Sequence, residues 1–269
     1  MAEVRMKGAI LLKHLSSVSD AVKDLKIDVA DNLSFLKEGG IPTLSYSFAA
    51  MTHYLEVTEG IPDAHVKSGG SLLFSDIPKS IAFLKKCKGD VTVKQLMNNR
   101  LSLASGGKKM TVPCFEVNSS KLVGKYENLI KACEASGGTQ FATATLSLSA
   151  QFNMKEIKDI ASMGKLIPKD ADYKMRANGD EGELMVKVAK GGNVSLFATT
   201  SLSDVDITTE QGTIESSFGY WLLPCLSMLG DGNTKMYMGN GTPVILSQGV
   251  HENYDGGSSR TLVVIDQEE

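Results

Sequence analysis

The stretch FNMKEIKDIASMGK, from Phe152 to Lys165, decides how the rest of the chain is read. At a helical pitch of about 100° per residue, Lys155, Lys158, Ser162 and Lys165 fall on one side. Asn153, Ile157, Ile160, Ala161 and Gly164 fall on the other, with Met154 at the border. Such a helix buries one face in a core and offers a basic, small-residue face to something negative. Taken alone, that face is an ordinary solvated surface; it gains meaning because a similar helix stands at the same place in an earlier repeat.

Working back from this stretch, Leu11, Leu15, Val18 and Val22 share one face of a helix over Gly8–Val22, with Lys13 among the residues opposite. A second helix is expected over Asp76–Lys86, with Ser75 or Asp76 as its cap and Pro78 in its first turn. Its Ile77, Ile81 and Leu84 point inward, while Lys79, Ala82 and Lys86 point outward. Short strands are expected at Lys26–Ala30, Leu33–Lys37, Thr43–Leu55, Val91–Leu96, Arg100–Ala104 and Met110–Val117. Asn98-Asn99 reads as a turn that tolerates left-handed backbone, and Pro113 favours an edge position for the last of these strands. The region of Pro62 and Gly69-Gly70 reads as loop.

The order then recurs at an offset of about 143 to 152 residues, too long for a solenoid and right for two copies of one domain. The helix Asn153–Lys165 answers Gly8–Val22, and FGYWLLPCLSML, Phe218–Leu229, answers Phe74–Lys85. Glu183–Lys190 and Val194–Thr199 answer Leu33–Lys37 and Thr43–Phe48. Thr234–Met238 and Pro243–Ser247 answer the hairpin Val91–Ala104. Between the copies, residues 118–139 read as a connector in which Tyr126–Ala135 forms a short helix; Phe141–Ala150 alternates like a strand. The expected architecture is α+β: an N-terminal domain over 1–117, the connector over 118–139, and a C-terminal domain over 140–269, each with two helices on one side of antiparallel sheets.

Composition agrees with a globular chain: 269 residues, 42% hydrophobic and 22% charged, with a net charge of -3. The charge is uneven, about 15 basic against 11 acidic groups in residues 1–110 and about 10 against 17 in residues 151–269. That distribution suits a protein that touches nucleic acid with one surface only. No run approaches the roughly 20 apolar residues of a membrane span, and the N-terminus lacks the pattern of a signal peptide, so a cytoplasmic protein is expected. Cys87, Cys114, Cys133 and Cys225 are far apart, and His14, His53, His65 and His251 have no neighbour at ligand or triad spacing. Neither a metal nor a cofactor is expected.

Phosphate-loop look-alikes at Ser105–Thr111 and Gly230–Gly241 lack GxxxxGK[ST] and sit between strands, so they read as hairpin turns. The acidic group Asp180, Glu181 and Glu183 lacks calcium-loop spacing. With no paired general acid and base, an enzyme is not expected.

KDIASMGK at Lys158–Lys165, KKCKGD after the second helix, TPVILS from Thr242 and the acidic tail IDQEE resemble the sliding DNA clamps of the proliferating cell nuclear antigen type, among which the phage processivity clamps are the nearer analogue in their low similarity. The resemblance covers nearly the whole chain as an order of elements. It implies a homotrimeric ring of paired domains that encircles duplex DNA, tethers DNA polymerase and is opened by a clamp loader. On that resemblance Lys13, Lys79, Lys86, Lys155, Lys158 and Lys165 would face phosphates from the ring's inner wall. Ile41, Leu122, Val123, Pro243, Leu262, Val263 and Val264 would form the pocket for a partner peptide. Subunits would join through Met110–Val117 and Val194–Thr199. The chain departs from the pattern in FGYWLLPCLSML, whose outward face (Leu223, Pro224, Ser227) has no lysine and whose Trp221 face is left to pack on a neighbour. Two other readings stand beside the clamp: a subunit of a hetero-oligomeric ring, and an oligomeric scaffold that binds no DNA.

Overall fold

The computed structural model describes residues 1–22, 25–29, 43–61, 63–97, 99–114, 120–163, 166–190, 196–203, 205–209, 212–252 and 258–265. The expected strand Leu33–Lys37, the Gly39-Gly40 and Gly191-Gly192 turns, Ile41 and Lys165 lie outside these residues. The chain forms two compact units. Unit 1 is made of Met1–Phe48, Glu56–Ser120 and Val250–Arg260; unit 2 is made of Ala49–Leu55, Lys121–Gly249 and Thr261–Glu269.

In chain order the first elements are β1 (Glu3–Lys7), α1 (Gly8–Val18), β2 (Leu25–Val29), β3 (Thr43–Ala49), β4 (His53–Gly60), β5 (His65–Ser68) and β6 (Gly70–Phe74). They are followed by α2 (Ile77–Leu84), β7 (Asp90–Leu96), β8 (Arg100–Ser105) and β9 (Lys108–Pro113). Then come α3 (Ser120–Ala135), the short β10 (Gln140–Phe141) and β11 (Ala144–Thr145), and β12 (Leu148–Asn153). A 3-10 turn over Met154–Glu156 leads into α4 (Lys158–Ser162). The chain continues through β13 (Asp172–Asn178), β14 (Glu183–Lys190), β15 (Leu196–Leu202), β16 (Asp206–Thr209) and β17 (Thr213–Phe218). It ends with α5 (Leu222–Met228), β18 (Asn233–Met238), β19 (Val244–Glu252) and β20 (Ser258–Ile265).

The two halves use one plan. One ladder runs β5-β1-β7-β8-β9 in the first and β16-β12-β18-β19-β20 in the second. The other runs β6-β2-β3-β4 and β17-β13-β14-β15. The pairings described are antiparallel, and their registers put apolar residues opposite one another. Val4 faces Val93 and Met6 faces Val91 in the first half; Tyr173 faces Val188 and Met175 faces Val186 in the second. All eight side chains are buried, so the period-2 pattern places one face of each ladder in a core.

The repeat is therefore real but shifted from the expected correspondence. β14 and β15 take the places of β3 and β4, one strand later than the sequence pairing puts them. The missed element is β13, whose Tyr173, Met175 and Ala177 alternate with Lys174 and Arg176. Where a loop was expected around Gly69-Gly70, β5 and β6 form, and the expected strand Thr43–Leu55 is the two strands β3 and β4.

The helices are shorter than the periodicity predicts. α1 stops at Val18, and α2 runs only from Ile77, capped by the Asp76 side chain, which accepts from the Lys79 amide at 3.1 Å. The helix predicted over Asn153–Lys165 is broken into the 3-10 turn and α4. Asn153, expected inside, is exposed and caps the turn by accepting from the Lys155 amide at 3.0 Å, while Met154 is fully buried. An asparagine at the end of a strand gains more from satisfying an orphan amide than from a core position that would strand its own polar atoms.

Within unit 1, α1 buries Gly8, Leu11, His14, Leu15 and Val18 and packs beside α2. The Gly8 amide donates to Gly89 O at 2.9 Å, and a Cβ at Gly8 would come within 3.1 Å of that oxygen. The matching bond in unit 2 runs from the Met154 amide to Gly232 O, also 2.9 Å. Each bond ties the start of the first helical segment to the turn that follows the second. No helix among the described residues is long and apolar enough to cross a membrane.

His14 is the one polar group buried on the inner face of α1. Its Nδ1 lies 3.4 Å from the Tyr46 hydroxyl, and its Nε2 lies 3.2 Å from Glu59 Oε2 without the alignment of a hydrogen bond. Burial pulls the imidazole below its ordinary value; the Glu59 carboxylate opposes this and Lys13 adds to it. The folded protein thus holds His14 neutral more firmly than the unfolded chain does. The resulting stability is fully present above about pH 6.5 and is lost as pH falls through the lowered folded value. Denaturant midpoints measured across pH are expected to show this fall, and His14→Gln is expected to flatten it; an unchanged profile in H14Q would place the proton elsewhere.

Candidate nucleic-acid interface and partner pocket

The lysines predicted to form one basic wall are not equivalent in the structure. Lys13 on α1 and Lys86 just beyond α2 are exposed, opposite the buried stripes of their helices. Lys79 is exposed but its Nζ sits 2.7 Å from the carboxylate of Asp76, three residues earlier. Lys155 is exposed beside Glu156, which is exposed as well. Lys158 is half-buried, and its ammonium is bonded to the Asp231 carboxylate in the turn between α5 and β18.

That last contact corrects the reading of the opening stretch. The Lys158 side chain holds the Asp231 carboxyl below the usual aspartate range, first through the hydrogen bond and then through its charge. Glu156 and Asp159 are also exposed on the same segment, so the face read as basic is close to neutral. The sequence could not supply Asp231 as a partner, because 73 residues separate it from Lys158 and only the α4–α5 packing brings them together.

α5 departs further. Leu223, expected on its outward face, is fully buried along with Leu222, Cys225 and Leu226, leaving only Pro224 and Ser227 half-exposed. A helix that is apolar all round is a core helix and presents no charged wall. The Trp221 ring packs within unit 2 on His53, at 4.7 Å between centroids, and on Tyr220, at 4.5 Å.

The expected partner pocket is mostly filled. α3 is a full 16-residue helix, longer than the predicted Tyr126–Ala135. Val123, Tyr126, Ile130 and Cys133 form its buried stripe, spaced three, four and three residues apart. They pack in unit 2 with Ala49, Tyr54, Phe141, Leu146, Ile245 and Val264. Tyr126 stacks on Tyr54 at 5.2 Å and on Phe141 at 6.5 Å. Val123 and Val264 are thus core residues. Leu122, Leu129 and Tyr237 lie half-buried at the margin of the cluster, and Pro243 is half-buried at the start of β19. Leu262 and Val263 lie in β20; their side chains, like Ile41, lie outside the described residues. The apolar spacing from Val123 onward was the signal for the longer helix; the polar run of Asn118 to Lys121 hid its start.

The sequence reading also missed a second basic feature. Lys108 and Lys109 open β9, and Lys108 Nζ donates to Lys86 O at 2.8 Å, joining the β8–β9 hairpin to the end of α2. Among the described residues no group of three His, Cys, Asp or Glu could hold a metal ion. The four cysteines are free, with Cys114, Cys133 and Cys225 buried.

Two measurements check these placements. Replacing Lys158 with Met is expected to return the Asp231 carboxyl to the ordinary aspartate range in a carbon-detected NMR titration; no change would mean that the pair does not form in solution. Tyr126→Ala is expected to cost about 3 kcal/mol in denaturant unfolding, as truncation of a stacked core aromatic does; a loss under about 1 kcal/mol would show that α3 is not docked.

No known sequence family matches the chain, and no characterised protein matches it by sequence. Solved structures do match. The chain is similar over 100% of its length, and 100% of the other, to PCNA from Thermococcus kodakaraensis, with a TM-score of 0.63 at 12% identity. It is similar to the PCNA of A. fulgidus, solved with the C-terminal region of FEN-1, with a TM-score of 0.62 at 13% identity, covering 100% of this chain and 99% of that one. It also matches the H. pylori beta clamp over 99% of its own length and 63% of that longer chain, with a TM-score of 0.63 at 11% identity; the same clamp, with a DNA ligase peptide bound, matches at 0.62. These two groups are sliding clamps, and the α+β architecture described above is theirs: the chain has the sliding-clamp fold.

Proposed function

We propose that this chain is a DNA polymerase processivity factor, a non-enzymatic sliding clamp that closes into a homotrimeric ring around duplex DNA and tethers polymerase. The observation that carries the reading is end-to-end similarity to PCNA, with neither chain left over, together with two units of one topology. The H. pylori beta clamp is longer than this chain, so the PCNA arrangement is the better guide to how many copies close the ring.

Two further features support a ring. β9 and β15 each end their ladder among the described residues, so their outer backbone groups are available to pair with another copy. Pro113, at the end of β9, sits where the missing amide is tolerated, at an edge. These two strands include most of the segments that the resemblance assigned to subunit contact.

Contacts to DNA would be phosphate contacts, without sequence information and sensitive to salt, which is what sliding requires. Lys13 and Lys86 are the strongest candidates, with Lys79 contributing less because of Asp76, Lys155 less because its charge also acts on Asp231, and Lys158 least because it is bonded to Asp231. Lys165, outside the described residues, is carried from the sequence pattern as a further candidate. A clamp loader would open the ring, and the protein would work in the cytoplasm on the nucleoid, or on viral DNA in a host.

Partner peptides with apolar anchors would dock at the margin of the α3 cluster, where Leu122 and Pro243 are half-exposed, with Ile41, Leu262 and Val263 as further candidate contacts. The buried Val123 and Val264 would support that surface from beneath. The bound FEN-1 segment and DNA ligase peptide of the similar clamps suggest replication and repair proteins as the class of partner.

Light scattering is expected to give the mass of three copies; a monomer at every concentration would overturn the ring. On primed circular DNA with the cognate polymerase, the protein is expected to lengthen products. Lys13→Glu with Lys86→Glu is expected to reduce that stimulation at least tenfold without unfolding, and unchanged stimulation would remove these lysines from the inner wall.

A further inference from the structure

The four-stranded ladder of unit 2 carries a charged hollow that neither the helices nor the α3 cluster uses. β13 and β14 alternate strictly. Tyr173, Met175, Val186 and Val188 are buried, so Lys174, Arg176, Met185 and Lys187 share the opposite face. With Asp172, Ala189 and Glu215 of β17 they line a hollow of about 210 Å³. The register decides which charges meet there. Lys174 stands directly opposite Lys187, and Arg176 directly opposite Glu215. Like charges at facing positions are destabilising.

Glu215 does not answer the arginine that faces it. Its Oε1 accepts from Lys174 Nζ at 2.8 Å, a diagonal contact across the ladder. The exposed Arg176 and Lys187 are left without an ion pair among the described residues. They are diagonal neighbours on facing strands, roughly 7–8 Å apart at the backbone, a gap that one carboxylate spans with two long side chains. Asp172, exposed opposite Ala189, is the other acidic group of the hollow and lies at one end of it. The setting is acidic: residues 151–269 carry about 10 basic against 17 acidic groups. A nucleic-acid duplex, with a charge about every 1.7 Å, would meet that surround as well as the hollow. A short segment that carries carboxylates meets the hollow alone.

We infer that this hollow is a docking site for an acidic segment of a partner protein, one of whose carboxylates sits between Arg176 and Lys187. The Arg176 guanidinium is a fork that receives both carboxylate oxygens, and Lys187 adds a point charge from the neighbouring strand. Met185 and Ala189, both half-buried, give the stem of the docked side chain a small apolar floor. Asp172 sets the polarity, because it repels a second carboxylate at its end of the hollow. The partner is recognised by charge, on a different ladder from the apolar margin of α3. The site therefore goes beyond the clamp reading and does not depend on it.

The test uses the full chain and a fluorescently labelled hexaglutamate peptide, with binding followed by anisotropy over a salt series. Saturable, salt-sensitive binding to the parent protein is expected; no binding at low salt would overturn the proposal. Arg176→Gln with Lys187→Gln, both at exposed positions, is expected to weaken binding by about tenfold, the loss of one charge-assisted contact. Asp172→Asn is expected to tighten binding by about twofold, a gain that misfolding does not produce. Unchanged or weaker binding in D172N would remove the peptide from the hollow. The charge-matched control, Lys125→Gln with Lys131→Gln on exposed positions of α3, is expected to stay within about twofold of the parent protein. Equal losses in both double variants would overturn the proposal by reducing it to net charge. A fall in the light-scattering mass of the hollow variant would also overturn it, by assigning Arg176 and Lys187 to subunit contact. A loss of duplex binding in that variant as large as its loss of peptide binding would make the hollow a nucleic-acid contact and overturn the acidic-protein assignment. If the hollow variant binds hexaglutamate normally while the parent protein supports processive synthesis, the site falls and the clamp stands. If peptide binding follows the hollow and synthesis is not stimulated, the clamp falls and the site stands.

Discussion

One backbone hydrogen bond appears at the same place in both halves of the molecule. Gly8 gives its amide to Gly89 O in one, and Met154 gives its amide to Gly232 O in the other. Each first helical segment begins directly from the end of a strand, so its first amides have no partner within the helix. Giving one of them to the turn after the second helix satisfies it and places the two helical segments of the unit side by side. A single bond of this kind contributes only about 1 kcal/mol net, but a buried amide left without it costs about 1–3 kcal/mol. The close approach also explains Gly8, since a Cβ there would press on Gly89 O.

With the helices fixed in pairs, each is left with one face turned away from the sheet, and the character of that face follows from what remains after burial. In unit 1 it carries Lys13, Lys79 and Lys86, with the Lys108 and Lys109 hairpin drawn in beside the end of α2. In unit 2 it is nearly neutral, because Asp231 takes up Lys158 and α5 is apolar all round. The two halves share a topology and divide the electrostatic work unequally.

The segment that leads from the first half into the second is a packed helix. Its stripe of Val123, Tyr126, Ile130 and Cys133 closes over Tyr54, Ile245 and Val264, and stacked rings at Tyr54, Tyr126 and Phe141 give that contact a defined geometry. Apolar surface that would otherwise face solvent in unit 2 is covered by the chain itself. What remains for another molecule is the margin: Leu122, Leu129, Tyr237 and the nearby Pro243.

The sequence by itself determined the doubled α+β plan, the inward stripe of α1, the inward Ile77 and Leu84 of α2 (though not its buried Ser80), the capping of α2, the Asn99 turn and the edge position of Pro113. Each rests on local periodicity or on the backbone preference of one residue, and such signals survive at 12% identity to PCNA. Strands without strong alternation, such as β5 and β16, were not legible, because pairing rather than propensity makes them strands. Tertiary structure alone decided which charges are free. Lys158 is neutralised by a carboxylate 73 residues away, and Lys108 is bound to the end of a helix 22 residues earlier. The value of a surface charge depends on neighbours that only folding supplies, so the opening lysine face was readable as a pattern but not as a potential.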